Sequence, residues 1–129
     1  MLAVDTNIVV RFLTRDDESQ FTRADALIRN EDVYVCATVL LETEWVLRSV
    51  YGYDRTRVLE ALRDFAALPQ VTFQDPFATA QAFEWVADGM DFADALHLAA
   101  SKDCEAFVSF DRALTAQAAA AGAPPVRAP

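Results

Sequence analysis

Two short apolar segments of the sequence each end directly in an aspartate. Asp5 follows the run from Leu2 to Val4, and Asp111 follows the run from Ala106 to Phe110. In an open parallel α/β sheet, ligands bind outside the carboxyl ends of the strands, so we expect both carboxylates at the same sheet edge. Aspartate is also a preferred helix N-cap, and a helix is predicted after each residue, so capping stays a competing interpretation.

A third acidic region combines a helix cap with an acid in the first turn. Asp91 is the predicted N-cap, and Asp94 begins a polar stripe on a helix that is otherwise almost entirely apolar up to Ala100. His97 continues this stripe at the same spacing of three residues. A buried acidic stripe needs a partner, and a lone histidine on such a helix is expected to be a hydrogen-bonding core residue rather than a ligand.

Glu42 is the carboxylate that is hardest to explain by structure alone. The nearby Glu44 has Arg48 at i+4, which predicts a favourable pair on the helix surface. The neighbours of Glu42 at three and four positions are Thr38, Val39, Trp45 and Val46. This pattern predicts an unpaired carboxylate within a mainly apolar face, where a cation or hydrogen bonds must compensate its charge.

Asp5, Glu42, Asp94 and Asp111 therefore form a candidate set of four carboxylates. Converging carboxylates repel each other at low dielectric, so they either take up protons or hold a hard divalent cation. Oxygen ligands without a histidine cluster favour Mg²⁺, or Mn²⁺, over zinc. The reaction typical of such a site is phosphoryl transfer, in which the metal activates water for attack on a phosphodiester.

The scarce residue types exclude several other classes of site. Three glycines cannot build a dinucleotide-binding or phosphate-cradling loop, and one histidine cannot form a two-histidine acid/base pair. No serine has the flanking glycines of a nucleophile elbow. Cys36 and Cys104 are interpreted as reduced core residues, since two distant cysteines make neither a thiolate zinc site nor a disulfide framework.

The net charge of −9 argues at first against nucleic acid and against anionic membranes. Two bound Mg²⁺ would neutralise four of these charges, and ten of the eleven basic residues are arginine, which suits phosphate. Arg11, Arg15 and Arg112 are candidates to flank the metal, with solvated charges or ion pairs as the alternative. The N-terminus has no signal-peptide pattern and no stretch is long and apolar enough for a membrane span, so we expect a cytoplasmic protein.

The order of apolar segments predicts an α/β fold. Strands are expected over residues 2–4, 33–35, 71–73 and 106–110, with a short last strand at 126–127 or a loose tail. Helices are expected over residues 8–14, 18–30, 38–51, 55–68, 76–88, 92–104 and 112–121. This alternation predicts a three-layer α/β/α sandwich with a central, mostly parallel sheet, in a single domain over residues 1–129.

Four motifs in this order resemble the PIN-domain nucleases, in particular the VapC toxins of bacterial toxin–antitoxin pairs. The motifs are Asp5-Thr6-Asn7, the helix from Leu41 to Leu47, the segment from Asp91 to His97, and the segment from Ser109 to Leu114. The resemblance covers nearly the whole chain.

The resemblance implies that Asp5, Glu42, Asp94 and Asp111 are the catalytic metal ligands. Thr6 and Asn7 match the polar residues that orient the first acid, and Asp91 matches an outer carboxylate or only the helix cap. It also implies a Mg²⁺-dependent endoribonuclease that forms a homodimer and is silenced by a VapB-type antitoxin. Hydrolysis without a covalent enzyme intermediate would then leave a 5′-phosphate and a 3′-hydroxyl.

Two other classes of protein compete with this interpretation. A receiver-like phosphoacceptor module is also an acidic α/β domain, but it needs an acid pair after the first strand, and Asp16-Asp17 follows a helix instead. A phosphatase of the Asp-x-Asp type is excluded because position 7 is Asn. A catalytically silent PIN-fold interaction protein, with Trp45 and Tyr51 on a dimer face, is disfavoured by the complete set of acids.

Overall fold

The computed structural model describes residues 1–129, which form seven helices and five short strands. In chain order these are β1 (Leu2–Ala3), α1 (Thr6–Thr14), α2 (Glu18–Asn30), β2 (Val33–Val35), α3 (Ala37–Ser49), α4 (Arg55–Ala66), β3 (Val71–Phe73), α5 (Pro76–Ala87), α6 (Phe92–Ala100), β4 (Phe107–Val108), α7 (Arg112–Ala121) and β5 (Val126–Arg127). Every predicted element is confirmed in type and order. The main differences are that α6 ends four residues earlier than predicted and that β4 has only two residues.

All strand pairs are parallel, which confirms the α/β fold class. The first sheet has the order β1-β2-β3, with Leu2 opposite Val33 and Val33 opposite Val71. The second sheet pairs β4 with β5. Backbone hydrogen bonds continue the first sheet beyond its formal ends, since the Val4 N–H donates to the Tyr34 carbonyl at 3.2 Å.

The chain divides into two compact units, Met1–Pro76 and Phe77–Pro129. In the first unit, the fully buried Phe65 packs against the rings of Phe12 and Phe73, with centroid distances of 5.6 and 5.9 Å. In the second unit, the Phe83 and Phe92 rings lie 6.1 Å apart, and the buried residues of α6 and α7 include Leu98 and Leu114. The single domain over residues 1–129 stays a prediction.

Local sequence signals determine where the helices begin and end. The Asp17 and Asp54 carboxylates cap α2 and α4 by accepting hydrogen bonds from the Gln20 and Arg57 backbone N–H groups, each at 2.9 Å. Gly122 ends α7 in the left-handed conformation (φ 67°), which glycine adopts without a steric penalty. None of the helices has both the length and the apolar character that a bilayer crossing requires.

Two predictions about the core are corrected. Cys36 and Cys104 are both free thiols, as predicted, but Cys36 is only half-buried and Cys104 is exposed. Because α6 ends at Ala100, Cys104 lies in the turn that follows the helix and not on its apolar face. His97 is also exposed, so its assignment as a core residue is wrong.

Candidate active site

Asp5 lies between β1 and α1 and caps the helix. Its Oδ1 accepts a hydrogen bond from the Thr6 N–H at 2.7 Å, and the side chain is exposed. Thr6 is buried (5% exposed), whereas Asn7 is exposed on the first turn of α1. The capping interpretation is therefore confirmed for Asp5. One carboxylate oxygen holds the helix end, and the other has no donor from the protein.

Glu42 and Glu44 have the opposite environments from those that the sequence predicted. Glu44 is buried (5% exposed) and accepts a hydrogen bond from Arg48 Nε at 3.0 Å, so the predicted pair exists but is not a surface pair. Glu42 is exposed. The buried stripe of α3 consists of Leu40, Thr43, Glu44 and Leu47.

The apolar face predicted around Glu42 is therefore not a buried one. The neighbouring Trp45 is 53% exposed, and Val39 and Val46 are half-buried, so this side of α3 is partly open to solvent. Apolar residues occur on both sides of α3, and spacing alone could not show which side is buried. The role of Glu42 as a metal ligand remains a prediction that rests on the resemblance.

Three aspartates of the second unit form an acidic group. Burial raises the pKa of the Asp94 carboxyl above its usual range, the charges of Asp91 and Asp111 raise it further, and His97 partly opposes them. Asp91 and Asp111 are N-caps, whose carboxylates accept hydrogen bonds from the Asp94 and Leu114 N–H groups, each at 3.1 Å. These three carboxylates are therefore close enough to interact electrostatically.

His97 lies on α6, the helix that also carries Asp94. It is exposed, and its ring stacks on Phe107 with a centroid distance of 6.5 Å and an interplanar angle of 10°. The exposure follows from its position on α6, because the buried residues of that helix are Phe92, Ala95, Leu98 and Ala99. The predicted polar stripe exists, with Asp91 and His97 exposed and Asp94 half-buried, so it lies at the surface and not in the core.

The donor set of the second unit fits a hard divalent cation in its chemistry. No protein group donates a hydrogen bond to the Asp94 carboxylate. Burial and then two like charges raise its pKa, and a divalent cation would relieve the repulsion between these charges. No group of three or more histidine, cysteine or carboxylate side chains has the spacing of a formed metal centre. Which carboxylates bind a metal therefore stays a prediction.

Two of the three candidate arginines are engaged within the first unit. Arg11 Nη1 forms an ion pair with Asp16 at 2.9 Å, and Arg15 lies with its guanidinium 4.1 Å from the centroid of the Phe21 ring. Both interactions agree with the alternative that these arginines are structural. Arg112, the first residue of α7, is exposed beside Asp111.

Sequence reasoning missed a different pair of polar side chains. Gln20 and Arg23 of α2, together with residues of α1, line a surface cleft in the first unit. The signal that could have found them is the helical spacing of Gln20, Arg23, Ala24 and Leu27, which places these residues along one side of α2.

The order of strands, helices and acidic residues agrees with a family comparison. The PIN domain family matches residues 2–120 of the sequence, so the chain belongs to the PIN domain family. The match extends over both compact units.

Among solved structures, the chain is similar to VapC20 from Mycobacterium tuberculosis, a toxin that cleaves the sarcin-ricin loop. The sequences are 22% identical, the TM-score is 0.45, and the similarity covers 90% of this chain and 94% of that one. No curated protein matches the sequence.

Proposed function

We propose that this protein is a Mg²⁺-dependent endoribonuclease of the VapC toxin type. Two findings support the proposal: the family match over residues 2–120 and the acidic group of Asp91, Asp94 and Asp111. The family match is the observation that carries it. The raised pKa of Asp94, caused by burial and by the charges of Asp91 and Asp111, agrees with an all-oxygen donor set suited to a hard cation.

In this proposal the carboxylates of Asp5, Glu42, Asp94 and Asp111 hold the cation, which is Mg²⁺ or Mn²⁺. When bound, the cation would lower the pKa of water and neutralise charge that develops on the phosphodiester. Asp5 keeps a fixed orientation because its Oδ1 is held by the Thr6 N–H at 2.7 Å, and Asp91 orients the start of α6 in the same way.

The remaining residues of the proposed site orient the carboxylate ligands and the substrate. Thr6 and Asn7 follow Asp5 on the first turn of α1, where they can orient its carboxylate and a phosphate oxygen of the substrate. In the proposed hydrolysis water is the attacking group and the carboxylates act only by holding the cation, so no covalent enzyme intermediate forms. Cleavage of the bond between phosphorus and the 3′-oxygen leaves a 5′-phosphate and a 3′-hydroxyl.

The proposed partners follow from the resemblance to VapC toxins. The substrate is RNA, a VapB-type antitoxin neutralises the activity, and the active form is a cytoplasmic homodimer. An exposed Trp45 (53%) on α3 gives the first unit an apolar side chain that a partner chain could cover.

The decisive variant is Asp5→Asn, measured as cleavage of single-stranded RNA in the presence of Mg²⁺. Asparagine is as good an N-cap as aspartate, so the free energy of unfolding should change by less than about 0.5 kcal/mol. Cleavage should fall by at least about 100-fold, because the cation loses a charged ligand. EDTA should abolish the wild-type activity, and added Mg²⁺ should restore it.

The matched control is Asp17→Asn, which makes the same change of charge at the N-cap of α2. This variant should cleave RNA at the wild-type rate. Full activity of Asp5→Asn, or activity of the wild type that resists EDTA, would contradict the proposed function.

A further inference from the structure

A cleft of 430 Å³ lies between α1 and α2 in the first unit. Its volume is within the range of sites that bind small molecules or parts of larger ligands. The lining residues are Asn7, Ile8, Arg11, Gln20, Arg23, Ala24 and Leu27.

The charge of this cleft is opposite to that of the whole chain. The sequence has 20 acidic and 11 basic residues, yet no acidic residue lines the cleft and two arginines do. The guanidinium of Arg11 is already neutralised by Asp16 at 2.9 Å. Arg23 is exposed and forms no ion pair or hydrogen bond, so it supplies an uncompensated positive charge to the cleft.

The other lining residues provide neutral donors and an apolar wall. The Gln20 Oε1 accepts a hydrogen bond from Arg11 Nε at 2.6 Å, which leaves the amide nitrogen of Gln20 free to donate. The Asn7 side-chain amide has no partner within the protein. Ile8, Ala24 and Leu27 form the apolar part of the lining. A guanidinium suits a phosphate, amides suit the edges of a base, and apolar side chains suit its faces.

The position of the cleft connects it to the proposed active site. Asn7 is two residues from Asp5 on the same helix, and Arg11 is six residues from it. At a rise of about 1.5 Å per residue, the cleft extends along α1 from about 3 to about 9 Å beyond Asp5.

We propose that the α1–α2 cleft binds a nucleotide that neighbours the scissile phosphodiester on the same RNA strand, with Arg23 contacting its phosphate. This inference rests on the proposed function, because it assumes an RNA substrate at Asp5. The positive charge without any lining carboxylate favours a polyanion over a peptide as the occupant. The subsite also explains how an acidic protein retains RNA, since the attraction is local.

The test is a binding measurement that does not depend on cleavage. In an Asp5→Asn background with Mg²⁺, the affinity for a fluorescein-labelled, single-stranded ten-nucleotide RNA is measured by fluorescence anisotropy at several salt concentrations. Adding Arg23→Ala should raise Kd about tenfold, because a charge-assisted phosphate contact is lost. The slope of log K against log salt should become shallower by about 0.7, the value for one phosphate contact on a single strand.

The matched control is Arg29→Ala, which removes an arginine from the same helix. Arg29 is outside the cleft and is paired with Asp25 at 2.7 Å, so its removal should leave Kd and the salt slope unchanged. Arg23→Lys should keep the salt slope while binding more weakly than the parent, because lysine retains the charge but not the planar donors. Circular dichroism establishes that each variant is folded.

Three results would overturn the inference: no binding by the parent, an Arg23→Ala variant that binds like the parent, or an equal effect of Arg29→Ala. The second result is also the one expected if the cleft holds a peptide. The proposed function is tested by a different measurement, and RNA cleavage by the Asp5→Asn variant at the wild-type rate would contradict it. In the otherwise wild-type chain, Arg23→Ala should raise KM about tenfold with little change in kcat.

Discussion

Three of the candidate site residues are helix N-caps as well as acids. Asp5, Asp91 and Asp111 each accept one backbone N–H hydrogen bond, at 2.7, 3.1 and 3.1 Å respectively. A capping bond occupies one carboxylate oxygen and leaves the other available. Capping and metal binding therefore do not exclude each other, and the cap bond fixes the direction of the carboxylate that would bind the cation.

At the scale of single residues, two glutamates of α3 are expected to have different roles. Glu44 should stabilise the fold, and Glu42 should serve RNA cleavage. Glu44→Ala should lower the free energy of unfolding by about 2 kcal/mol, because it removes a buried carboxylate and its hydrogen bond with Arg48. Glu42→Ala should change it by less than about 0.5 kcal/mol, since the side chain is exposed, while it should abolish RNA cleavage. Urea denaturation and a cleavage assay on both variants measure the two effects.

The opposite pattern would contradict this assignment. A Glu42→Ala variant that cleaves RNA normally would remove Glu42 from the proposed metal site. A Glu44→Ala variant as stable as the wild type would show that the buried pair with Arg48 contributes nothing to the stability of the fold.

At the scale of elements, a polar network links the ends of the first three helices. Arg11 of α1 donates to Asp16 in the connection to α2 at 2.9 Å and to the hydroxyl of Tyr51 after α3 at 3.1 Å. Tyr51 in turn donates to Asp16 at 2.5 Å, and Arg11 Nε donates to Gln20 at 2.6 Å. The network thus holds Gln20 and Arg11 at one end of the α1–α2 cleft.

This network predicts a dependence of stability on pH. The hydrogen bond from Tyr51 is the main cause that lowers the pKa of Asp16, with Thr14 and Arg11 adding to it and burial opposing it. A carboxyl whose pKa is lower in the folded state contributes stability above its unfolded pKa and loses it as the pH falls through the folded value. The wild type should therefore be more stable than Tyr51→Phe at pH 7.

The difference between wild type and Tyr51→Phe should narrow as the pH falls below about 4, the ordinary range of an aspartate pKa. Thermal unfolding of both proteins between pH 2.5 and pH 7 measures it. Tyr53→Phe is the control, since Tyr53 is beside Tyr51 at a ring-centroid distance of 6.4 Å but has no part in the network. If the stability difference between wild type and Tyr51→Phe does not change with pH, the ionised Asp16 carboxylate is not its cause.

At the scale of the whole molecule, the two compact units divide the candidate acids between them. Met1–Pro76 contains Asp5 and Glu42, and Phe77–Pro129 contains Asp94 and Asp111. The second unit has about 50 residues and a sheet of only two short strands, which is too little for independent stability in most cases.

We therefore expect the chain to unfold as one cooperative domain. In a Trp45→Phe variant, the remaining tryptophan is the buried Trp85 of the second unit, so its fluorescence reports on that unit alone. Far-UV circular dichroism reports on the helices of both units. The two signals should give the same midpoint in urea. Separate midpoints would mean that residues 1–129 form two domains.

The elements and the positions of the acids along them could be predicted from the amino-acid sequence alone. Alternating apolar segments, aspartate caps and Gly122 act through local backbone energetics, so the order of helices and strands followed without knowledge of the fold. Asp5 and Asp111 come after β1 and β4, but these strands belong to two different sheets, so the prediction of one shared sheet edge is not confirmed. The PIN domain family, proposed from four short motifs, is confirmed over residues 2–120.

Which side of each helix is buried could not be predicted from the sequence, because it follows from packing in the folded chain. In α3 apolar residues lie on both sides, and packing buried Glu44 while it left Glu42 and Trp45 in solvent. The exposure of His97 on α6 and the ion pair of Arg11 with Asp16 likewise follow from the tertiary structure. The physical reason is that burial and pairing depend on neighbours distant in sequence, whereas helix caps and strand ends depend on residues only a few positions away.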